Sequence, residues 1–274
     1  MPGTWFSEKQ LDSLAISCVV KKILHSERTP YQQIKVLDTD PFGLMLALDD
    51  VIQTTVFDEF AYHEMIALVP LNVHPDPKRI LVIGGGDGGT VRECLRHPSP
   101  EEVTLVEIDA RVVEVSRQYL PQLSSGLDDP RVKICYEDGT KYLKGKESAY
   151  DVIIVDSTDP VGPARGLFEE PFYRQIERAL APEGILVAQT ESPFYNLDLI
   201  KKVFATWRGI FPTVRIYEAV IPSYPGGLWT FTLGSKKHDP VAVRGQVVAA
   251  GRYYSPAVHQ AAFVLPNFLQ GAVR

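Results

Sequence analysis

The sequence has little cysteine and no arrangement of cysteine or histidine suited to a metal. Three cysteines, Cys18, Cys94 and Cys135, stand far apart in 274 residues. They form no CxxC pair, which excludes a disulfide framework or zinc knuckle and points to a reducing compartment. The six histidines make neither HxxxH nor HExxH, so no metal site is expected. No apolar run approaches the roughly 18 residues of a membrane helix, and Met1 to Leu11 lacks the regions of a signal peptide. We therefore expect a cytoplasmic protein with no membrane segment. Basic charge is not in excess either, the formal net charge being -6. That balance argues against nucleic acid as a partner and suits a cationic substrate, although it also serves plain solubility. Internal repeats and low-complexity stretches are missing.

What remains is the composition of an ordinary globular protein, with 45% hydrophobic and 23% charged residues. Residues 14–56 read as strands: SLAISCVVKKILHSERT, YQQIKVLDT, GLMLALD and VIQTTVF, broken by Pro30, Pro41-Phe42-Gly43 and Asp49-Asp50. Phe57 to Pro70 has helical spacing, and NVHPDPKR, with two prolines, is the candidate linker. From Lys78 strands alternate with helices. RILVIGG, EVTLVEID, RVKICYED, YDVIIVD and GILVAQTES predict five parallel strands in a doubly wound sheet. VRIYEAVIP and LWTFTLGSK are too close together for a crossover helix, so they predict an antiparallel pair. The fold class is α/β: a Rossmann-like, class I methyltransferase-type sheet of seven strands with a small antiparallel β domain before it. We divide the chain into residues 1–58 and residues 59–274, counting the helix with the second part.

In an open α/β sheet, ligands sit at the carboxyl ends of the strands. Here the first parallel strand runs into Gly84-Gly85-Gly86-Asp87-Gly88-Gly89, a turn that lets backbone approach a ligand. The next strand ends in Glu107, about 20 residues on, where an acidic side chain bridges ribose hydroxyls. The third ends in Asp138-Gly139, placing an acceptor for an adenine amino group. Together they predict a nucleoside site, while Asp109 alone reads better as a helix cap. Asp87 stands where a pyrophosphate would be repelled, which disfavours NAD and FAD. A sulfonium ligand with its own ammonium fits. S-adenosylmethionine also carries a carboxylate, whereas its decarboxylated form does not.

The fourth strand ends in YDVIIVDSTDPVGP, with Asp156 and Asp159 at its tip. Such carboxylates hold a cation, take a proton, or cap a helix. For an amine attacking a carbon beside a sulfonium, the proton matters. With a pKa near about 10.4, less than about 0.1% of an aliphatic amine is neutral at pH 7, and delivering that form costs roughly 4–5 kcal/mol. Asp156 then reads as the base and Asp159 as the partner of a diamine's far charge. Tyr62, Tyr224 and Trp229 are candidates to wall a methylene chain, and as residue types they suit the core equally.

These stretches resemble the polyamine aminopropyltransferases, most closely the bacterial spermidine synthases. The likeness runs through YQQIKV, LDDVIQTTVFDEFAYHEM, ILVIGGGDGGTVRE, VEID, EDG, VDSTDPVGPA, LFEEPFY, IPSYPGGLWTFTLGSK and YYSPAVHQAAFVLP, nearly the whole chain in order. It implies transfer of an aminopropyl group from decarboxylated S-adenosylmethionine, a co-substrate and not a tightly bound cofactor, to putrescine. The products are spermidine and methylthioadenosine. Carried over, the resemblance makes Asp156 the proton acceptor. Gln32, Glu107, Asp138, Gly139 and Pro163 would contact thioadenosine, and His63, Asp87 and Asp156-Ser157-Thr158-Asp159 the polyamine and aminopropyl groups. Gln53, Tyr62, Gln189 and Tyr224 would line the same cavity. VGPARGLFEE resembles the family's gatekeeping loop. The amino end, close to WFSE, is short against longer relatives whose extra sequence is linked to assembly, which leaves homodimer and homotetramer open. Agmatine, cadaverine or spermidine as acceptor, an ordinary methyltransferase, and a non-catalytic polyamine or nucleoside binder are the alternatives. Asp87 and the lack of an NPPY-like strand end weigh against the methyltransferase.

Overall fold

A computed structural model describes residues 4–158, 166–248 and 251–273. The amino-terminal part is a five-stranded sheet in simple order, with β1 (Thr4–Leu11), β2 (Leu14–Arg28), β3 (Gln33–Thr39), β4 (Gly43–Leu48) and β5 (Val51–Thr55). Every neighbouring pair is antiparallel. Asp49 and Asp50 both take positive φ and join β4 to β5. That is the two-residue hairpin whose twist matches its strands, and aspartate tolerates it because its short side chain bonds locally. Here the Asp49 carboxylate bonds across the sheet instead, accepting from the Gln33 backbone N–H and from Arg28.

Strand β1 was not legible from sequence. Its charged residues Glu8 and Lys9 mask an alternation in which Phe6 and Glu8 point inward. The buried Glu8 carboxylate accepts from the Ile52 N–H at 2.8 Å. On the other face, Ile34, Val36, Leu46 and Leu48 pack against Val112, Val115 and Leu123 of the following helices. That apolar seam presses the first sheet onto the second part of the chain.

The second sheet has the order β11-β12-β10-β9-β6-β7-β8. Strands β6 (Arg79–Gly84), β7 (Glu102–Glu107), β8 (Val132–Tyr136), β9 (Tyr150–Asp156) and β10 (Leu180–Gln189) run parallel, as expected. Strands β11 (Thr213–Val220) and β12 (Leu228–Ser235) form the antiparallel edge. Val152, Ile153, Ile154 and Val155 are buried on both faces of β9, as a central parallel strand requires. One face packs on α1 (Glu59–Val73) and α2 (Gly89–Arg96), the other on α6 (Glu170–Ala179) and α7 (Leu197–Arg208). Helix α1 is buried nearly all round, and its Glu64 carboxylate accepts from the N–H groups of Arg252, Tyr253 and Tyr254. A single side chain thus fastens the carboxyl-terminal segment to the helix that enters the site. Among the described residues no helix is long and apolar enough to cross a membrane.

Candidate active site

The topology switches between β6 and β9, and a cavity opens over their carboxyl ends. Gly84 and Asp156 are register partners. Gly84 has φ +80°, and a Cβ there would stand 2.1 Å from the Asp156 carbonyl oxygen. Glycine is therefore what brings the two strand ends together. Each Asp156 carboxylate oxygen then receives one hydroxyl: Tyr62 Oη donates to Oδ1 at 2.7 Å and Thr90 Oγ1 to Oδ2 at 2.6 Å. Burial, and after it the like charge of Asp87, raises the Asp156 pKa. The two hydroxyls and His63 oppose that rise.

Asp87 follows from the same turn. Its Oδ1 accepts from the Gly89 N–H at 2.7 Å and lies 3.4 Å from His63 Nε2. Burial alone would push its pKa up, but His63 and the Gly89 N–H hold it below the ordinary value. His63 is 2% exposed, and its ring lies flat against the start of α2. A Cβ at Gly89 would come within 2.3 Å of His63 Cε1.

Along the rim, Glu107 Oε1 accepts from the Asp109 N–H at 2.9 Å. Burial raises the Glu107 carboxyl to about 7. Asp138 caps the short helix α5 (Gly139–Tyr142), its Oδ1 accepting from Thr140 N at 2.8 Å and Thr140 Oγ1 at 2.7 Å. The capping role and the cavity position coexist, since Asp138 also faces the cavity. Asp109 caps α3 (Ala110–Tyr119) through Arg111 N, and its other oxygen accepts from Thr29 Oγ1 and Gln32 Nε2. The cap residue thereby ties the first sheet to the second.

Gln32, Gln53, Tyr62, His63, Asp87, Glu107, Asp138, Gly139, Asp156, Ser157, Thr158, Gln189 and Tyr224 all border this one cavity, as does Trp229. Asp159 and Pro163, and the first half of VGPARGLFEE, lie outside the described residues. From the end of that stretch, Leu167 borders the cavity and Phe168 is buried. Tyr62 and Tyr224 meet edge to face with centroids 5.6 Å apart, and Tyr224 meets Trp229 at 4.7 Å. Tyr224 Oη donates to the Gln53 carbonyl at 2.5 Å. The three rings make an aromatic wall beside Asp156. Ser157 and Trp229 border the cavity, and Ser157 Oγ and Trp229 Nε1 are buried without a partner among the described residues.

Sequence reasoning passed over four residues. Glu8 and Glu137 border the cavity, Thr90 bonds Asp156, and Glu59 bonds His63. Only the Glu59/His63 pair carried a local signal, the four-residue spacing that puts both on one helix face. The others depend on which strand end meets which helix.

A family model for the spermine/spermidine synthase domain matches residues 59–244, and one for the spermidine synthase tetramerisation domain matches residues 4–56. The polyamine aminopropyltransferase of Moorella thermoacetica is 59% identical over 98% of this chain and 96% of its own length. That of Desulforudis audaxviator is 54% identical over 98% of this chain and 99% of its own. Among solved structures, a spermidine synthase in complex with the transition-state analogue AdoDATO superposes with a TM-score of 0.96 at 38% identity. It is covered over 96% of its length by all of this chain. The spermidine synthase of Thermotoga maritima superposes with a TM-score of 0.95 at 38% identity over all of this chain and 95% of its own.

Proposed function

This chain belongs to the spermine/spermidine synthase family of polyamine aminopropyltransferases, and from that premise we propose that it makes spermidine from putrescine and decarboxylated S-adenosylmethionine, with Asp156 as proton acceptor. One observation carries the reading. A half-buried carboxylate at the switch point, Asp156, faces the same cavity as a buried one, Asp87, and as the Glu107 and Asp138 rim. Glu107 and Asp138 suit the ribose hydroxyls and adenine amino group of the donor, and Asp87 suits its ammonium. The Tyr62, Tyr224 and Trp229 wall suits the methylenes of a diamine.

In the proposed step, the neutral amine nitrogen of putrescine attacks the aminopropyl carbon bonded to sulfur. The new C–N bond forms as the C–S bond breaks. The electron pair returns to sulfur, and methylthioadenosine leaves neutral. The nitrogen sheds its proton to Asp156, whose raised pKa makes it a better base. The sulfonium is already a good leaving group, so the protein's contribution is chiefly positioning and proton removal. The binding of the transition-state analogue AdoDATO by a spermidine synthase of the same fold supports the reading. Asp159 is proposed to meet the far ammonium of putrescine, and Pro163 the thioadenosine. Residues 1–58 and 59–274 are taken as the two domains, the first of them joining copies into a homodimer or homotetramer, and the setting as the cytoplasm.

The test is a competition assay. Putrescine, agmatine, cadaverine and spermidine are offered together with decarboxylated S-adenosylmethionine carrying an isotopically labelled aminopropyl group, and labelled products are identified by mass. Spermidine as the dominant product is expected. A dominant agmatine, cadaverine or spermidine adduct would replace the acceptor, and no adduct at all would leave a binding protein.

A further inference from the structure

Glu59 opens helix α1 and does not border the cavity, yet it is 8% exposed and tied to a residue that does. Its Oε2 lies 2.6 Å from His63 Nδ1. The guanidinium of Arg92, on α2, reaches both oxygens of Glu59, at 3.1 and 2.8 Å. The other ring nitrogen of His63 faces Asp87 Oδ1 at 3.4 Å. An ionised carboxylate only accepts hydrogen bonds, so a ring held between two of them is satisfied only when both nitrogens carry protons. Arg92, Glu59, His63 and Asp87 thus form a row of alternating charge that leads from α2 into the site.

The row acts on two of the cavity's carboxylates, Asp87 and Asp156. Asp87 and Asp156 border the same cavity and feel each other's charge, and in such a pair of carboxylates one tends to hold its proton well above the ordinary carboxylate range. A retained proton would disable either Asp87 as an anchor for an ammonium or Asp156 as a base. A fixed positive charge beside Asp87 opposes its retention. We propose that Glu59 is a positioning residue for aminopropyl transfer: it keeps His63 doubly protonated, and the imidazolium keeps Asp87 and Asp156 ionised together. The proposal rests on the reading of Asp156 as the base. The charged and titratable groups around His63 agree with it. On its own helix these are Glu59 and Tyr62, in the glycine turn Asp87, and on β9 Asp156. On α2, Arg92 is paired with Glu59 and Glu93, and Arg96 with Glu93 and with Glu64 of α1, so both guanidiniums are held by carboxylates.

The first measurement needs no substrate, so it stands apart from any failure of the assigned reaction. With histidine-labelled protein, nitrogen shifts should show protons on both His63 nitrogens at about pH 8, and one proton only in Glu59→Gln. A singly protonated His63 in the unaltered enzyme would overturn the proposal. The second is the pH profile of kcat/KM for the donor, with the acceptor saturating. In Glu59→Gln the acid limb should move up by about 1–3 pH units, with activity regained on its alkaline side. In a His63→Gln background the same change should leave the limb in place. An equal loss at every pH, or a shift that persists without His63, would mean that Glu59 serves structure alone.

Discussion

At Asp156 two effects oppose each other. Burial and the neighbouring Asp87 charge favour the protonated acid, while hydrogen bonds from Tyr62 and Thr90 favour the carboxylate. A base poised in this way takes a proton readily without being blocked beforehand. Asp156→Asn keeps the shape and loses the basicity. We expect turnover to fall about 10²- to 10⁴-fold with methylthioadenosine affinity unchanged, checked by steady-state kinetics and calorimetry. Glu107 is a different case, for its carboxyl is raised from 4.5 to about 7 by burial. A raised carboxyl contributes stability that is present below its unfolded value and lost as pH rises through about 7. In the ligand-free protein, Glu107→Gln should therefore be more stable than the parent at about pH 8 by about 3 kcal/mol. The gain should vanish near about pH 4. Urea unfolding at the two pH values measures it, and an equal effect at both would remove the burial argument.

At the scale of elements, the unit that matters is the β6–glycine turn–α2 passage. Gly84→Ala would force a side chain to φ +80° and drive its Cβ into the Asp156 backbone. We expect a loss above about 2 kcal/mol in urea unfolding together with reduced turnover, because the clash displaces the proposed base. Unchanged stability would show that the two strand ends can separate freely. This passage was the most legible part of the chain. An apolar run, six residues rich in glycine and a helical stretch predict strand, turn and helix without further knowledge. Strand β1 was illegible, because Glu8 turns inward to meet the Ile52 N–H, a partner forty-four residues away in sequence. Local pattern reports which face of an element is apolar. It does not report a buried charge satisfied at long range.

For the whole molecule, the two sheets divide the labour. The second sheet carries the acidic strand ends, and the first closes the cavity from the side with Glu8, Gln32, Leu46, Leu48 and Gln53. The first sheet also exposes Trp5 and Ile23, at 61% and 56%. Residues 4–56 match a tetramerisation domain, and on that ground we propose that these exposed apolar side chains are where copies of the chain meet. Trp5→Glu should yield a smaller species by light scattering, with the fold intact by circular dichroism. An unchanged mass would move the contact elsewhere.

The sequence alone determined the order of the elements, the parallel sheet with its antiparallel edge, and the acidic residues at three strand ends and in the glycine turn. Those features are written in short-range periodicity and in the turn chemistry of glycine and proline. Only the tertiary structure decided that Thr90 and Tyr62 clasp Asp156, that Asp109 joins the two sheets through Gln32, and that Glu59 and Arg92 stand behind His63. Each of these contacts joins residues on different elements, set by how helices pack over the strand ends, and no local pattern encodes that packing.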